Sequence, residues 1–256
     1  MIIIKTPSEI DLMRQGGKIL AEVLNEVVKY VEPGASSIEL DKLAERLIYE
    51  RGGRPSFKGY GNSSNPYPTS LCVSVNEEVV HGIPSVDKIL EEGDIVSLDI
   101  GMQYPAEGGM YTDMAMTVGV GKIDKDVKKL IKTTSRALEK GIEQCRNGNL
   151  LSQVSQAIQQ TAEEEKFNVV RTLVGHGVGK EVHEDPQIPN FVSDDPDIIL
   201  KPGMVLALEP MLNIGDYQVK MLDDGWTFVT EDGNLSAHFE HTVLITEDEP
   251  EVLTRL

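Results

Sequence analysis

Residues 90–100 read LEEGDIVSLDI, and 110 positions later residues 200–210 read LKPGMVLALEP. The two stretches share an opening leucine, a glycine at Gly93 and Gly203, a leucine at Leu98 and Leu208, and an acid in the same place, Asp99 and Glu209. Each reads as a glycine turn feeding a short strand, in which residues two apart lie on one face. Val96 and Leu98, like Leu206 and Leu208, form an apolar face fit for a core. The other face carries Ile95, Ser97 and Asp99, or Val205, Ala207 and Glu209, and ends in a carboxylate among small or apolar neighbours. A lone carboxylate held away from water is costly to keep charged. Two of them, from two similar half-units, point to a shared cation.

Working outward, the same plan precedes each copy. Thr6, Pro7 and Glu9 fit a capping box with proline at the first helical position, and Ile10, Met13, Gly17, Leu20, Leu24, Val27 and Val31 step by threes and fours. Pro33 and Gly34 end that helix. Ser36 and Glu39 cap a second one through Leu43 and Leu47, stopped at Gly52 and Gly53. Residues 54–69 carry glycine, asparagine, serine and proline and read as a loop, followed by a strand over 70–75. A glycine-rich excursion over 101–109 separates the Asp99 strand from a second strand over 111–118, which holds Asp113. In the later half a helix is expected from about Asp124 to Cys145, a turn at Asn147 and Gly148, and a helix from about Leu151 to Phe167. Helix, glycine turn, helix and strands therefore occur twice. This predicts an α/β (α+β) chain of one domain over 1–256, duplicated about a pseudo-twofold axis with halves of about 1–120 and 121–256.

Composition sets the outer limits. At 256 residues and 40% hydrophobic content the chain is able to bury a sizeable core. The apolar run over residues 1–4 is too short for a signal peptide or membrane span, so a soluble, cytoplasmic protein without membrane partners is expected. Cys72 and Cys145 lack metal-pair spacing and read as reduced thiols. A formal net charge of -18 argues against DNA or anionic-membrane binding.

The five histidines are His81, His176, His183, His238 and His241, none of them in an expected helix. GHGVGKEVHEDP, residues 175–186, holds two, seven positions apart. In an unbroken strand an odd separation would place the rings on opposite faces, so they converge only if the chain bends between them, at Gly179 and Lys180. The alternative is a glycine-rich loop with ordinary surface imidazoles. SAHFEHTVLIT, residues 236–246, reads as one strand in which His238 and Glu240 share a face and His241 points to the other. A glutamate in so apolar a strand needs compensation, unless the strand lies at an edge. Asp113 shares its face with Tyr111 and Ala115, with Glu107 as a rival and a solvated face as the alternative.

VNEEVVHGIP, the Asp99 strand, TDMAMT, GHGVGKEVHEDP, ALEPM and SAHFEHT together resemble the successive motifs of the type I methionine aminopeptidases, over nearly the whole chain. The resemblance implies the pita-bread fold, an antiparallel-rich curved sheet covered by helices, and a single catalytic domain. It implies a metal-dependent hydrolase that removes the initiator methionine from peptide amino termini when the second residue is small. Asp99, Asp113, His176, Glu209 and Glu240 would hold two divalent ions, with Asp99 on one, His176 and Glu209 on the other, and Asp113 and Glu240 bridging. Four carboxylates balance two divalent cations in charge. An oxygen-rich set with one imidazole suits manganese, iron or cobalt, with zinc also admissible. Glu209 would double as general base, and His81 and His183 would contact the scissile amide. Tyr67, Cys72, Val182 and Trp226, with Tyr60 as a weaker candidate, fall where the family lines its methionine pocket, although core packing explains an aromatic or thiol more often than ligand contact does. Asn76 and Ser236 match positions that bind a monovalent cation in relatives.

The chain also departs from the family pattern. YPAEGGMY adds three residues between Asp99 and Asp113, Val182 stands where phenylalanine is usual, and His238 stands where glutamine is usual. The stretch matching a basic ribosome-docking loop, residues 215–233, carries Asp216, Asp223, Asp224, Glu231 and Asp232, which leaves at most a transient ribosome encounter. A monomer is expected. Glu209 follows His183 by 26 positions, too few for the helical insertion of type II members. An X-Pro peptidase of the same fold and a non-catalytic scaffold are the competing functions.

Overall fold

A computed structural model describes residues 1–194 and 196–256. The first half runs α1 (Pro7–Val28), α2 (Ser37–Glu50), β1 (Arg54–Pro55), β2 (Leu71–Val75), β3 (Glu78–Val80), β4 (Ile95–Tyr104) and β5 (Met110–Gly119). The second runs α3 (Lys125–Glu143), α4 (Leu151–Glu164), β6 (Asn168–Val169), β7 (Gly175–Gly177), β8 (Glu184–Ile188), β9 (Val205–Leu208) and β10 (Met211–Asn213). It continues with β11 (Val219–Met221), β12 (Phe228–Thr230), β13 (Ser236–His238), β14 (Glu240–Leu244) and β15 (Glu251–Val252).

Local chemistry sets the helix starts. The Thr6 side chain accepts the Glu9 N–H while the Glu9 carboxylate accepts the Thr6 N–H, closing the capping box, with Pro7 at the first position. Ser36 occupies the N-cap of α2 without a side-chain bond. α1 ends at Val28 rather than reaching Val31, and α4 ends at Glu164 rather than Phe167.

One sheet joins the halves in the order β1-β4-β5-β14-β9-β7-β8, with β2 on β4 and β15 on β14. Its antiparallel centre is symmetric: β2-β4-β5 on one side answers β7-β9-β14 on the other. The doubling extends to single hydrogen bonds. Gly34 N–H donates to Leu90 O at 2.7 Å and Gly148 N–H to Leu200 O at 2.9 Å, and Leu90 and Leu200 N–H return bonds to Ala35 O and Asn149 O. Gly93 and Gly203 both have positive φ, 99° and 85°, a conformation that an L side chain rarely adopts. The glycine turn read from the repeat is thus a backbone requirement in both copies.

The helices cover one face. Val96, Leu98, Ile100, Met102 and Met114 pack with Leu20, Leu24, Leu40 and Ile48 of α1 and α2. Leu206, Leu208 and Val243 pack with Leu138, Ile142, Val154 and Ile158 of α3 and α4. The opposite face of the same strands carries Asp99, Asp113 and Glu240, as alternation predicts.

Two expectations are corrected. The excursion over 101–109 begins as strand: β4 continues to Tyr104, pairing Gly101 with Asp113 and Tyr104 with Met110, and residues 105–109 form the connection. Exposed Glu107 lies in that connection, which removes it as a rival to Asp113. The expected single strand over 236–246 is two, in different sheets, so His238 and Glu240 do not share a face of one strand. The partners nevertheless keep one register, Met211 with His238 before the break and Leu208 with His241 after it. Pro210 supplies the cause: it has no N–H for the ladder, and only the Phe239 N–H to Pro210 O bond remains there. The chain also builds a hairpin not read from sequence, β11-β12, whose Phe228 pairs with Val80 of β3.

Candidate metal centre

Five side chains meet where the halves meet. Asp99 on β4 and Glu240 on β14 both lie opposite Ala115 of β5, one on each side, and Asp113 lies two residues along β5 on the same face. His176 on β7 and Thr242 on β14 flank Ala207 of β9 in the same way, and Glu209 follows the end of β9. Small residues at 115 and 207 leave the space above them to the charged side chains. Thr242 ties the two central strands together there, its hydroxyl accepting the Asp113 N–H at 2.9 Å and donating to the Asp113 carbonyl at 2.8 Å.

One donor atom each from Asp113, His176 and Glu240 lies within 4.8 Å of the others. His176 Nε2 is 3.6 Å from Glu209 Oε1, and Asp99 lines the same cavity. The cavity holds about 70 Å³, room for several ion- or water-sized occupants, since a water needs roughly 10–15 Å³ by this measure.

The electrostatics are those of acids gathered out of reach of water. Desolvation raises Asp99 to about 7 and Glu209 to about 8, and lifts Asp113 and Glu240 well above the ordinary carboxylate range, with neighbouring acids adding to the last two. Desolvation lowers His176 to about 3, so its approach to Glu209 is not an ion pair at neutral pH. Among the described residues, Asp99 Oδ1, Asp113 Oδ1 and Glu240 Oε1 are buried without a hydrogen-bond partner. Buried polar atoms are normally paired. His176 Nδ1 lies 2.9 Å from Gly177 O, and because a carbonyl only accepts, the proton sits on Nδ1 and the Nε2 lone pair faces the acids. This donor set fits divalent ions.

An apolar chamber opens beside the acids. Phe57, Tyr67, Cys72 and Val182 are buried together, with Trp226 packed against them, and Tyr60 and His81 also line the cavity. The four pocket residues named from sequence are thus brought together. Phe57 joins them although residues 54–69 carry no periodicity that would set one side chain apart in sequence. Its place depends on Gly101, where a Cβ would come within 2.9 Å of the Phe57 ring and 2.2 Å of Ser56 Oγ.

The chain does bend between the paired histidines: β7 and β8 form a hairpin, Gly179 has φ 148°, and the His176 and His183 rings come to 4.3 Å between centroids. His183 stands at the mouth with its Nδ1 2.6 Å from Tyr60 Oη. His81 has φ 58°, a conformation costing a non-glycine residue about 1–3 kcal/mol and concentrated at functional sites. Its ring faces Trp226 and Phe228 of the β11-β12 hairpin, with centroids at 6.4 and 6.1 Å. His238 Nε2 is 3.6 Å from Glu209 Oε2, and neither of its ring nitrogens has a hydrogen-bond partner among the described residues. Asn76 and Ser236 are neighbours, the Ser236 N–H donating to Asn76 O at 3.0 Å. The Asn76 side chain is committed to Asp94 and to the Ile95 N–H.

The profile of metallopeptidase family M24 matches residues 11–247 of this chain. The chain belongs to metallopeptidase family M24. It is 50% identical to Methionine aminopeptidase 1 of Bacillus subtilis, covering all of both chains, and 51% identical to a methionine aminopeptidase of Clostridium perfringens, covering 99% of each. Among solved structures it is similar to the methionine aminopeptidase of Thermotoga maritima, with a TM-score of 0.95, 48% identity and full coverage of both chains. The Pyrococcus horikoshii prolidase, at 23% identity and a TM-score of 0.78, shares the fold, and this chain covers 64% of its length. The pita-bread fold implied by the resemblance and the doubling expected from the repeat are both found in this M24 chain.

Proposed function

We propose that this chain is a metal-dependent aminopeptidase that releases the amino-terminal methionine of peptides whose second residue is small, and that residues 1–256 form one catalytic domain. The observation that carries the reading is the set of three buried carboxylates, the half-buried Glu209 and one oriented imidazole, in which three carboxylate oxygens have no hydrogen-bond partner among the described residues, beside an apolar chamber.

Asp99, Asp113, His176, Glu209 and Glu240 would hold two divalent ions of the manganese, iron, cobalt or zinc class. Ions held there would polarise a peptide carbonyl and lower the pKa of a neighbouring water. The remaining work belongs to the chain. Phe57, Tyr67, Cys72, Val182 and Trp226 would enclose the methionine side chain and exclude water from it. Glu209 would accept the proton of the attacking water on a carboxylate oxygen. His183, whose Nδ1 is engaged by Tyr60, would present Nε2 to the scissile amide, and His81 would contact the same group from the Trp226 side. A monovalent cation near Asn76 and Ser236 would rest on main-chain carbonyls, because the Asn76 side chain is already bonded.

The acidic hairpin β11-β12 packs against His81 and supplies Trp226 to the chamber, which favours a role in the site over a docking surface for ribosomal phosphates. Among the described residues no helix is long and apolar enough to cross a membrane. We further propose a monomer that works in the cytoplasm on diffusing or nascent amino termini.

The test is peptide cleavage by metal-depleted protein reloaded with manganese or cobalt. Methionine should be released from Met-Ala-Ser, with Met-Pro and Ala-Pro peptides far poorer. Preference for Ala-Pro would move the enzyme to the X-Pro class, and no cleavage with any ion would favour a scaffold. His81→Ala and His183→Ala should each lower kcat about a hundredfold or more, the usual loss of one oxyanion donor, while metal content by atomic absorption stays at the wild-type level.

A further inference from the structure

The pseudo-symmetric halves differ at one place that bears on the site. Around the first glycine turn, a Cβ at Gly93 would meet nothing within 4 Å. At the matching turn before β9, a Cβ at Gly203 would lie 2.7 Å from Ile4 and 3.2 Å from Lys5 O, because the segment ahead of α1 is docked there with its Lys5 N–H on Gly203 O at 2.8 Å. From this anchor the Lys5 side chain runs into the interior. Its Nζ meets Glu184 Oε2 at 2.6 Å, with both side chains almost wholly buried, 1% and 3% exposed.

Glu184 follows His183 directly. Its other oxygen, Oε1, accepts the main-chain N–H groups of Lys180 at 2.5 Å and Glu181 at 3.2 Å. The carboxylate therefore closes the bend that brings His183 over His176. Gly179 lets the lysine reach it, since a Cβ there would stand 2.5 Å from Lys5 Cε, and Gly179 O is fixed from the other side by the Tyr111 N–H at 2.7 Å. A buried lysine with a single carboxylate partner is a poor stabilising device, because desolvation offsets much of the attraction. What it does supply is a fixed geometry.

We propose that Lys5 is a positioning residue: through Glu184 it locks the 178–183 bend against the β9 turn and so holds His183 in register with the metal-binding face. This rests on the reading that His183 acts on the substrate amide. Neither Lys5 nor Glu184 touches the reacting atoms, so the effect is on orientation, where displacement by about 1 Å can cost a hundredfold in rate.

Lys5→Met keeps the length of the side chain and removes the tether. With metal-loaded protein and Met-Ala-Ser, kcat should fall about tenfold to a hundredfold with KM changed less than threefold and metal content unaltered. Glu184→Gln, which retains an oxygen for the two N–H groups, should fall by a smaller factor and serves if Lys5→Met is poorly folded. The deciding measurement is the double variant: in a His183→Ala background, Lys5→Met should lower kcat no further, because the residue through which it acts is gone. An equal loss in both backgrounds, or a lower Tm with unchanged kcat, would assign Lys5 a purely structural role and overturn the proposal. Wild-type activity in His183→Ala alone would remove the reading on which it rests, whereas an impaired His183→Ala with an unimpaired Lys5→Met would remove only this inference.

Discussion

Asp99→Ala should abolish metal-dependent release of methionine from Met-Ala-Ser, lowering kcat/KM by roughly a thousandfold or more. Loss of one ion that stabilises transition-state charge forfeits several kcal/mol, and each 1.36 kcal/mol is about a factor of ten. Asp99 lines the acid-rich cavity across Ala115 from Glu240, and its Oδ1 has no partner among the described residues. The same change should have the opposite sign on the metal-free protein. It removes a buried acid that repels Asp113 and Glu240, so the Tm measured in chelator should rise or hold while activity vanishes. Full activity in metal-loaded Asp99→Ala protein would refute the ligand assignment.

Metal removal should produce a pH-dependent loss of stability. In the metal-free fold Asp99 is raised from 3.8 to about 7 and Glu209 from 4.5 to about 8, both by desolvation. Their folded values lie above their unfolded values, so the native state holds protons that the unfolded chain has released. The contribution of these two acids to stability is then greatest below about pH 4, falls as pH rises through the window from the unfolded to the folded values, and for these two groups levels off above about pH 8. A group shifted in this direction costs stability on the order of 1 kcal/mol for each pH unit inside its window. Divalent ions favour the charged forms, so binding releases protons and strengthens with pH. At a thousandfold excess over Kd the gain is about 4 kcal/mol, or roughly 8–16 °C in Tm for a chain of this size. Calorimetry with chelator and with manganese, between pH 5 and 8, should show the two curves diverging as pH rises. A metal-free Tm that climbs over that range would contradict the burial of uncompensated acids.

Much of this was legible in sequence because it is local or periodic. The capping box at Thr6 and Glu9, the paired turns at Gly93 and Gly203, and the alternation that sets Asp99 and Asp113 opposite Leu98 and Met114 follow from backbone rules that act within a few residues. The bend at Gly179 followed from the odd spacing of His176 and His183. Two other features depend on residues distant in sequence. Glycines at 101, 108 and 109 looked like a loop, but Gly101 sits inside β4 because Phe57, far away in sequence, needs the space above it. The run over 236–246 looked like one strand, and only the presence of Pro210 across the ladder breaks it.

By itself the sequence determined the doubling, the identity of the acids and the turn chemistry, since these depend on residue type and spacing along one chain. Tertiary structure alone decided what faces those residues: Ala115 between Asp99 and Glu240, Phe57 and Trp226 closing the chamber, and Lys5 reaching Glu184 beneath the Gly179 bend. Burial and electrostatic repulsion are properties of surroundings, and those surroundings are supplied by segments up to about 180 residues apart, which no local pattern encodes.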